Sequence, residues 1–187
     1  MEYGFSDVMT LTIGIIVVLI IASTLLTAFI ASVVSLFKNG DKSKFIYVAI
    51  SVLCVVVMAA SWFLNFGWIR FILTLYMIPL IHAAVFVSTS NFSAAHVNQS
   101  KRLKIYTILY YVTYVLGYVT LSDAGDDGPM YVFFGLIRNS IIVDLSYYVS
   151  FLFFLAHTAL FVLQIVEVII AKRRIAKSKK ATSTPLV

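Results

Sequence analysis

Charged side chains are scarce in this chain. Of its 187 residues only 12% are Asp, Glu, Lys or Arg, whereas 61% are hydrophobic, and the mean hydropathy is +1.00. Soluble globular domains carry about 25% charged residues. The composition therefore excludes a water-soluble protein and predicts an integral membrane protein, with a single polytopic domain over residues 1–170.

Cysteine and the common enzyme motifs are also missing or nearly so. The one cysteine, Cys54, lies inside an apolar run, which excludes an intrachain disulfide and a cysteine-based metal site. The chain has no glycine-rich phosphate loop, no His-Glu-x-x-His and no Gly-x-Ser-x-Gly. Ser150 and His157 stand about 10 Å apart along a helix axis, too far for a nucleophile and its base. We predict no enzyme, no catalytic residue and no metal site.

Long uncharged runs are what the sequence has instead. About twenty residues cross a hydrocarbon core of ~30 Å, and five segments reach or approach that length: 8–37, 45–64, 68–89, 105–121 and 145–170. A further apolar stretch, residues 131–143, contains Arg138 and is too short to span, so we predict a short interfacial helix there. The alternative, a sixth span, would place Arg138 in the membrane. The predicted fold is an all-α bundle of five membrane-spanning helices.

The basic residues are sorted by loop. Twelve of the fourteen Lys and Arg residues fall on one side of the five-span arrangement. Cytoplasmic loops are enriched in Lys and Arg, so the N-terminus is predicted outside and the C-terminus inside, in the plasma membrane. The tail, residues 171–187, is basic and predicted to be disordered. Its bases are interpreted as a topology signal, with binding to anionic lipid headgroups as the alternative, and no nucleic-acid partner is predicted.

The first span carries small residues at intervals of four. Membrane helices associate by close backbone approach, which small side chains permit. One interpretation is packing inside the bundle, and the other is contact with a membrane-protein partner or a second copy. The predicted packing face consists of Ser23, Thr27, Ala31 and Ser35.

A stripe of polar side chains follows the fifth span. At about 100° per residue, four of them project within about 20° of one line, and the fifth lies about 80° off it. Polar groups in hydrocarbon are costly, so the stripe should face protein or water. We call the following residues the polar stripe: Ser146, Ser150, His157, Gln164 and Glu167.

The third and fourth spans supply candidate partners for the stripe. Pro79 predicts a kink in the third span because it lacks a backbone donor. His82 lies within roughly 5 Å of the depth of His157, so the two rings can meet if their helices are neighbours. The fourth span offers Tyr106, Tyr110 and Thr113 on one face.

Two charged features lie on the outer side. Arg70, at the start of the third span, is expected to snorkel to the headgroups or to pair with an acidic loop residue. The outer loop contains Asp123, Asp126 and Asp127, interpreted as a solvated turn or, alternatively, as a cluster that concentrates cations.

These patterns leave a choice between two classes of membrane protein. The leading hypothesis is a non-enzymatic membrane protein, either an accessory or regulatory partner in a membrane complex or a small transport unit, with no cofactor. The alternative is an electron-transfer protein that binds a b-type haem through His82 and His157. A neutral histidine hydrogen-bonded to Tyr or Thr is the competing interpretation of both residues.

Overall fold

In the computed structural model of the chain, the described residues are 42–65, 67–123 and 131–182, together with isolated positions between 23 and 34. The predicted first span, 8–37, lies outside the continuous ranges. Of its packing face, Ser23, Thr27 and Ala31 are single described positions, and Ser35 is not among the described residues.

Five α-helices make up the continuous ranges. They are α1 (Lys42–Leu64), α2 (Trp68–Leu75), α3 (Ile78–Ala94), α4 (Lys101–Val119) and α5 (Ser140–Thr182), with a 3-10 turn at Val97–Gln99. No strand occurs within these ranges, so the all-α prediction is confirmed. Helices α1 and α5 are long and apolar enough to cross a membrane, and α2 with α3 qualifies as a third span if the bent pair is counted as one. Two such helices, or three with the bent pair, support the predicted association with a membrane.

The predicted third span is broken. Helices α2 and α3 meet at a bend of 70°, and Met77 between them has a φ of 55°. Pro79 lies in the first turn of α3, where its missing N–H leaves no hydrogen bond unmade. The kink predicted from Pro79 is therefore present as a complete break, two residues before the proline.

Helix α4 packs against α1 and more extensively against α5, and α3 lies beside α1 and α5. The shared core is aromatic, with Trp62, Phe86 and Tyr114 among its buried side chains. Gly117 sets the distance between α4 and α5, because a Cβ at this position would lie 3.1 Å from the ring of Phe154. A larger residue would require the Phe154 ring to shift or the two helices to separate.

Helix α5 is apolar outside and polar inside. Phe151, Leu152 and Leu155 are 61%, 62% and 53% exposed, while the polar stripe on the opposite face is buried. In water this distribution would be unfavourable, since large apolar side chains are normally the buried ones. It is the distribution expected of a helix whose outer face meets lipid.

The interfacial helix predicted at 131–143 is wrong over residues 131–139. Val132 and Ile137 exchange backbone hydrogen bonds of 3.1 and 3.2 Å, and residues 133–135 all have positive φ, which closes a tight turn. The side-chain oxygen of Asn139 then accepts from the backbone N–H groups of residues 141 and 142. Asn139 is thus the N-cap that starts α5 at Ser140.

The disorder predicted for the tail is wrong as far as Thr182. Helix α5 is 43 residues long, about 64 Å at 1.5 Å per residue, or roughly twice a hydrocarbon core of ~30 Å. Residues 171–182 are rich in Ala, Lys and Arg, which favour helix, and contain neither Gly nor Pro. The helix therefore continues beyond the apolar segment as a basic extension.

Candidate functional site

The structure buries the whole polar stripe against protein. Its five side chains are between 0 and 8% exposed. They line the face of α5 that packs against α4 and α3, so that the stripe forms a seam between helices.

The half of the seam nearer the start of α5 uses backbone carbonyls of α4. The hydroxyl of Ser150 donates to the carbonyl oxygen of Gly117 at 2.7 Å. His157 Nδ1 lies 3.2 Å from the carbonyl oxygen of Tyr110 and 3.4 Å from Oγ1 of Thr113. Since a carbonyl only accepts, Nδ1 carries the proton, and Nε2 is the free acceptor of a neutral ring.

The other half of the seam joins three elements. Gln164 accepts from the hydroxyl of Ser93 on α3 at 2.7 Å and donates to the carbonyl oxygen of Tyr106 on α4 at 3.4 Å. Glu167 accepts from the hydroxyl of Ser100, which precedes α4, at 3.2 Å. Tyr106 and Tyr110 thus hydrogen-bond to the stripe through their backbone carbonyls.

His82 and His157 are brought together. Their ring centroids are 5.0 Å apart in an edge-to-face arrangement, and His82 Nδ1 lies 2.7 Å from the hydroxyl of Tyr118. His157 also stacks on the ring of Tyr110 at 4.1 Å. With Tyr114, whose ring lies 5.1 Å from His82, these residues form what we call the histidine cluster.

Two polar atoms of the histidine cluster have no partner. His157 Nε2 and the hydroxyl of Tyr114 are both buried without a hydrogen bond among the described residues. A buried polar group left unsatisfied costs about 1–3 kcal/mol. These atoms are the part of the seam whose hydrogen-bonding capacity is unused.

The cluster does not fit a haem. Axial ligation places an iron and its macrocycle between the two imidazoles, whereas here the rings touch each other. The ring of Phe154 also packs against His82, with the two ring centroids 6.1 Å apart. In the described residues there is also no group of three or more His, Cys, Asp or Glu that could hold a metal ion.

Arg70 is part of a buried junction. Its side chain is fully buried, so snorkelling to the headgroups is wrong, and the alternative, pairing with an acidic loop residue, is confirmed. The guanidinium donates to the carbonyl oxygens of Ser61 and Trp62 at the end of α1, and to those of Tyr118 and Leu121 at the end of α4, at 3.3 and 2.6 Å. A cation suits these positions because the carboxyl end of a helix carries partial negative charge.

Asp123 completes this junction. Its carboxylate accepts from the backbone N–H groups of Gly67, Ile69 and Arg70 at 2.8–2.9 Å, and one oxygen lies 3.9 Å from Arg70 Nε. Asp123 therefore caps α2 and is 5% exposed, unlike a residue of a solvated turn. Asp126 and Asp127 lie outside the described residues.

No protein-family model, curated protein or solved structure matches this chain. The arguments for function therefore come from the geometry of the seam, of the junction and of the exposed surfaces.

Proposed function

We propose that the protein is a non-enzymatic accessory or regulatory subunit of a plasma-membrane complex. It crosses the bilayer five times, with its N-terminus outside and its C-terminus in the cytoplasm. The observation that carries this proposal is the engagement of the polar stripe. Ser150, His157, Gln164 and Glu167 each hydrogen-bond to another helix or to the preceding linker, which favours a role in joining the helices over a role in lining a passage.

Contacts between helix ends support the proposed orientation. Ser43, at the start of α1, hydrogen-bonds to Asn98 just before α4, and Ser100 hydrogen-bonds to Glu167 of α5. The basic starts of α1 and α4 therefore lie at the same end of the bundle as the basic extension of α5. Enrichment of Lys and Arg in cytoplasmic segments favours placing this end in the cytoplasm.

The basic extension of α5 is the surface proposed to meet a partner. Lys172, Arg173, Arg174 and Lys177 are exposed on a continuous helix. A preformed helix loses less conformational freedom on binding than a disordered tail does. The charge fits an acidic segment of another membrane-complex subunit.

Photocrosslinking in native membranes tests this proposal. A photoreactive residue at Ala176, which is exposed, should give a discrete protein adduct, whereas the same residue at the outward-facing Leu155 should not. Neutralising Lys172, Arg173, Arg174 and Lys177 to Gln should remove the adduct. A correctly inserted protein that yields no adduct at position 176 would contradict the accessory role.

Permeation is the second candidate function, and the unpartnered His157 Nε2 and Tyr114 hydroxyl are the observation that favours it. Ionisable groups within a membrane often mark proton or ion pathways. In proteoliposomes, a transport role requires His157→Ala to change proton or cation flux relative to the wild type. Equal leakage from both proteins would contradict transport.

A further inference from the structure

A groove between α3 and α5 takes no part in the seam or the junction. It has a volume of about 530 Å³, and its lining residues include Ala84, Ser88 and Phe92 of α3 and Phe161 and Ile165 of α5. The groove is open along its length. From Ala84 to Phe92 it extends about 12 Å at 1.5 Å per residue.

A positively charged side chain lies at one end of the groove. Lys172 Nζ lies 4.2 Å from the centroid of the Phe92 ring, and Lys172 is the first base of the extension of α5. The ring of His96 lies 6.0 Å from Phe92 on the linker that follows α3. The groove is therefore an apolar slot with one positively charged end, the mouth of the groove. This end lies where the apolar segment of α5 gives way to its basic extension.

We propose that this groove binds an anionic phospholipid from the leaflet at the basic end of the bundle. One acyl chain lies along the slot, and the headgroup phosphate pairs with the ammonium of Lys172. Lipid chains gain little from contact with an apolar protein surface inside a bilayer. Selectivity between lipids therefore comes from the headgroup, and one base near the membrane surface is expected to contribute about a fivefold preference.

The charge at one end of the groove favours a phospholipid over a helix. A partner helix would have to place an acidic group against Lys172 at the membrane boundary. A phospholipid supplies both the narrow apolar chain and the negative charge at that depth.

Native mass spectrometry of the full chain tests the proposal. The protein is delipidated in detergent and offered equal amounts of phosphatidylglycerol and phosphatidylcholine with identical acyl chains. We expect one phosphatidylglycerol to be retained in preference to phosphatidylcholine. Lys172→Gln should lower this preference about fivefold, and Ser88→Leu, which fills an exposed part of the slot, should lower retention of both lipids.

The matched control is Lys177→Gln, which removes the same charge from the same helix away from Phe92. It should leave the lipid preference within about twofold, since its charge is not at the mouth of the groove. Equal effects of the two substitutions would overturn the site in favour of diffuse attraction to the extension. A wild type with no preference between the two lipids would also overturn it.

Two further measurements distinguish the proposed phospholipid from other occupants of the groove. Glycerol phosphate, which has no acyl chain, should not displace the bound lipid at equal concentration, and displacement would refute the role of the slot. A Ser88→Cys variant in membranes should not form a disulfide-linked dimer or an adduct with another protein. Either product would assign the groove to a second copy or to a partner helix.

Discussion

Removing the carboxylate of Asp123 should destabilise the bundle more than any other change to a single acidic residue in the described ranges. Asp123→Ala removes the acceptor for three backbone N–H groups and leaves the guanidinium of Arg70 buried without its counter-ion. Breaking a buried ion pair by deleting one partner costs about 3–5 kcal/mol. For a chain of this size that is a fall of roughly 6–20 °C in the unfolding midpoint.

Thermal unfolding in nanodiscs, followed by tryptophan fluorescence, measures this loss. Trp62 and Trp68 both report on the junction, because Trp62 packs 5.3 Å from the Arg70 guanidinium and Trp68 begins the helix that Asp123 caps. The matched control is Asp144→Ala, at an exposed acidic position of α5, where less than about 0.5 kcal/mol is expected. Similar midpoints for the two variants would refute the assignment of a buried, stabilising pair.

Three other predictions test the packing and the topology. Gly117→Val should cost about 1–3 kcal/mol in unfolding free energy, because a Cβ alone would lie 3.1 Å from the Phe154 ring; an unchanged midpoint would contradict this close approach. Ser150→Ala should cost about 0.6 kcal/mol, the average for hydrogen bonds between membrane helices, and a gain in stability would contradict the bond to α4. Leu136→Cys and Lys177→Cys, both exposed, should react with an impermeant maleimide from opposite faces of the membrane; labelling from the same face would overturn the proposed topology.

The membrane character and much of the helical pattern could be predicted because they depend on local composition. The uncharged runs indicate α1 and α5, and Pro79 indicates the break in the third span. The periodicity of 3.6 residues also places Ser150, His157 and Gln164 on one face of α5. Each of these inferences uses residues within one segment.

What the sequence did not reveal depends on contacts between distant segments. An acidic loop partner for Arg70 was one of two predictions, but Arg70 and Asp123 are 53 residues apart, and no local pattern identifies Asp123 as that partner or shows that the pair is buried. Apolar length alone does not predict the tight turn before α5, because the N-cap Asn139 lies inside the apolar stretch and marks the start of the helix only there. Gly117 likewise gives no sign in the sequence that its carbonyl will accept from Ser150.

Water accessibility along the polar stripe tests most directly whether α5 packs against α3 and α4 without water between the helices. Single cysteines at Ser150 and Gln164 are treated in intact membranes with a small water-soluble thiol reagent, with Lys177→Cys as the accessible reference and the buried Cys54 of the wild type as the blank. We expect positions 150 and 164 to react only after unfolding in detergent. Reaction at rates close to that of Lys177→Cys would show a water-filled passage and contradict the proposal that the stripe serves to join helices.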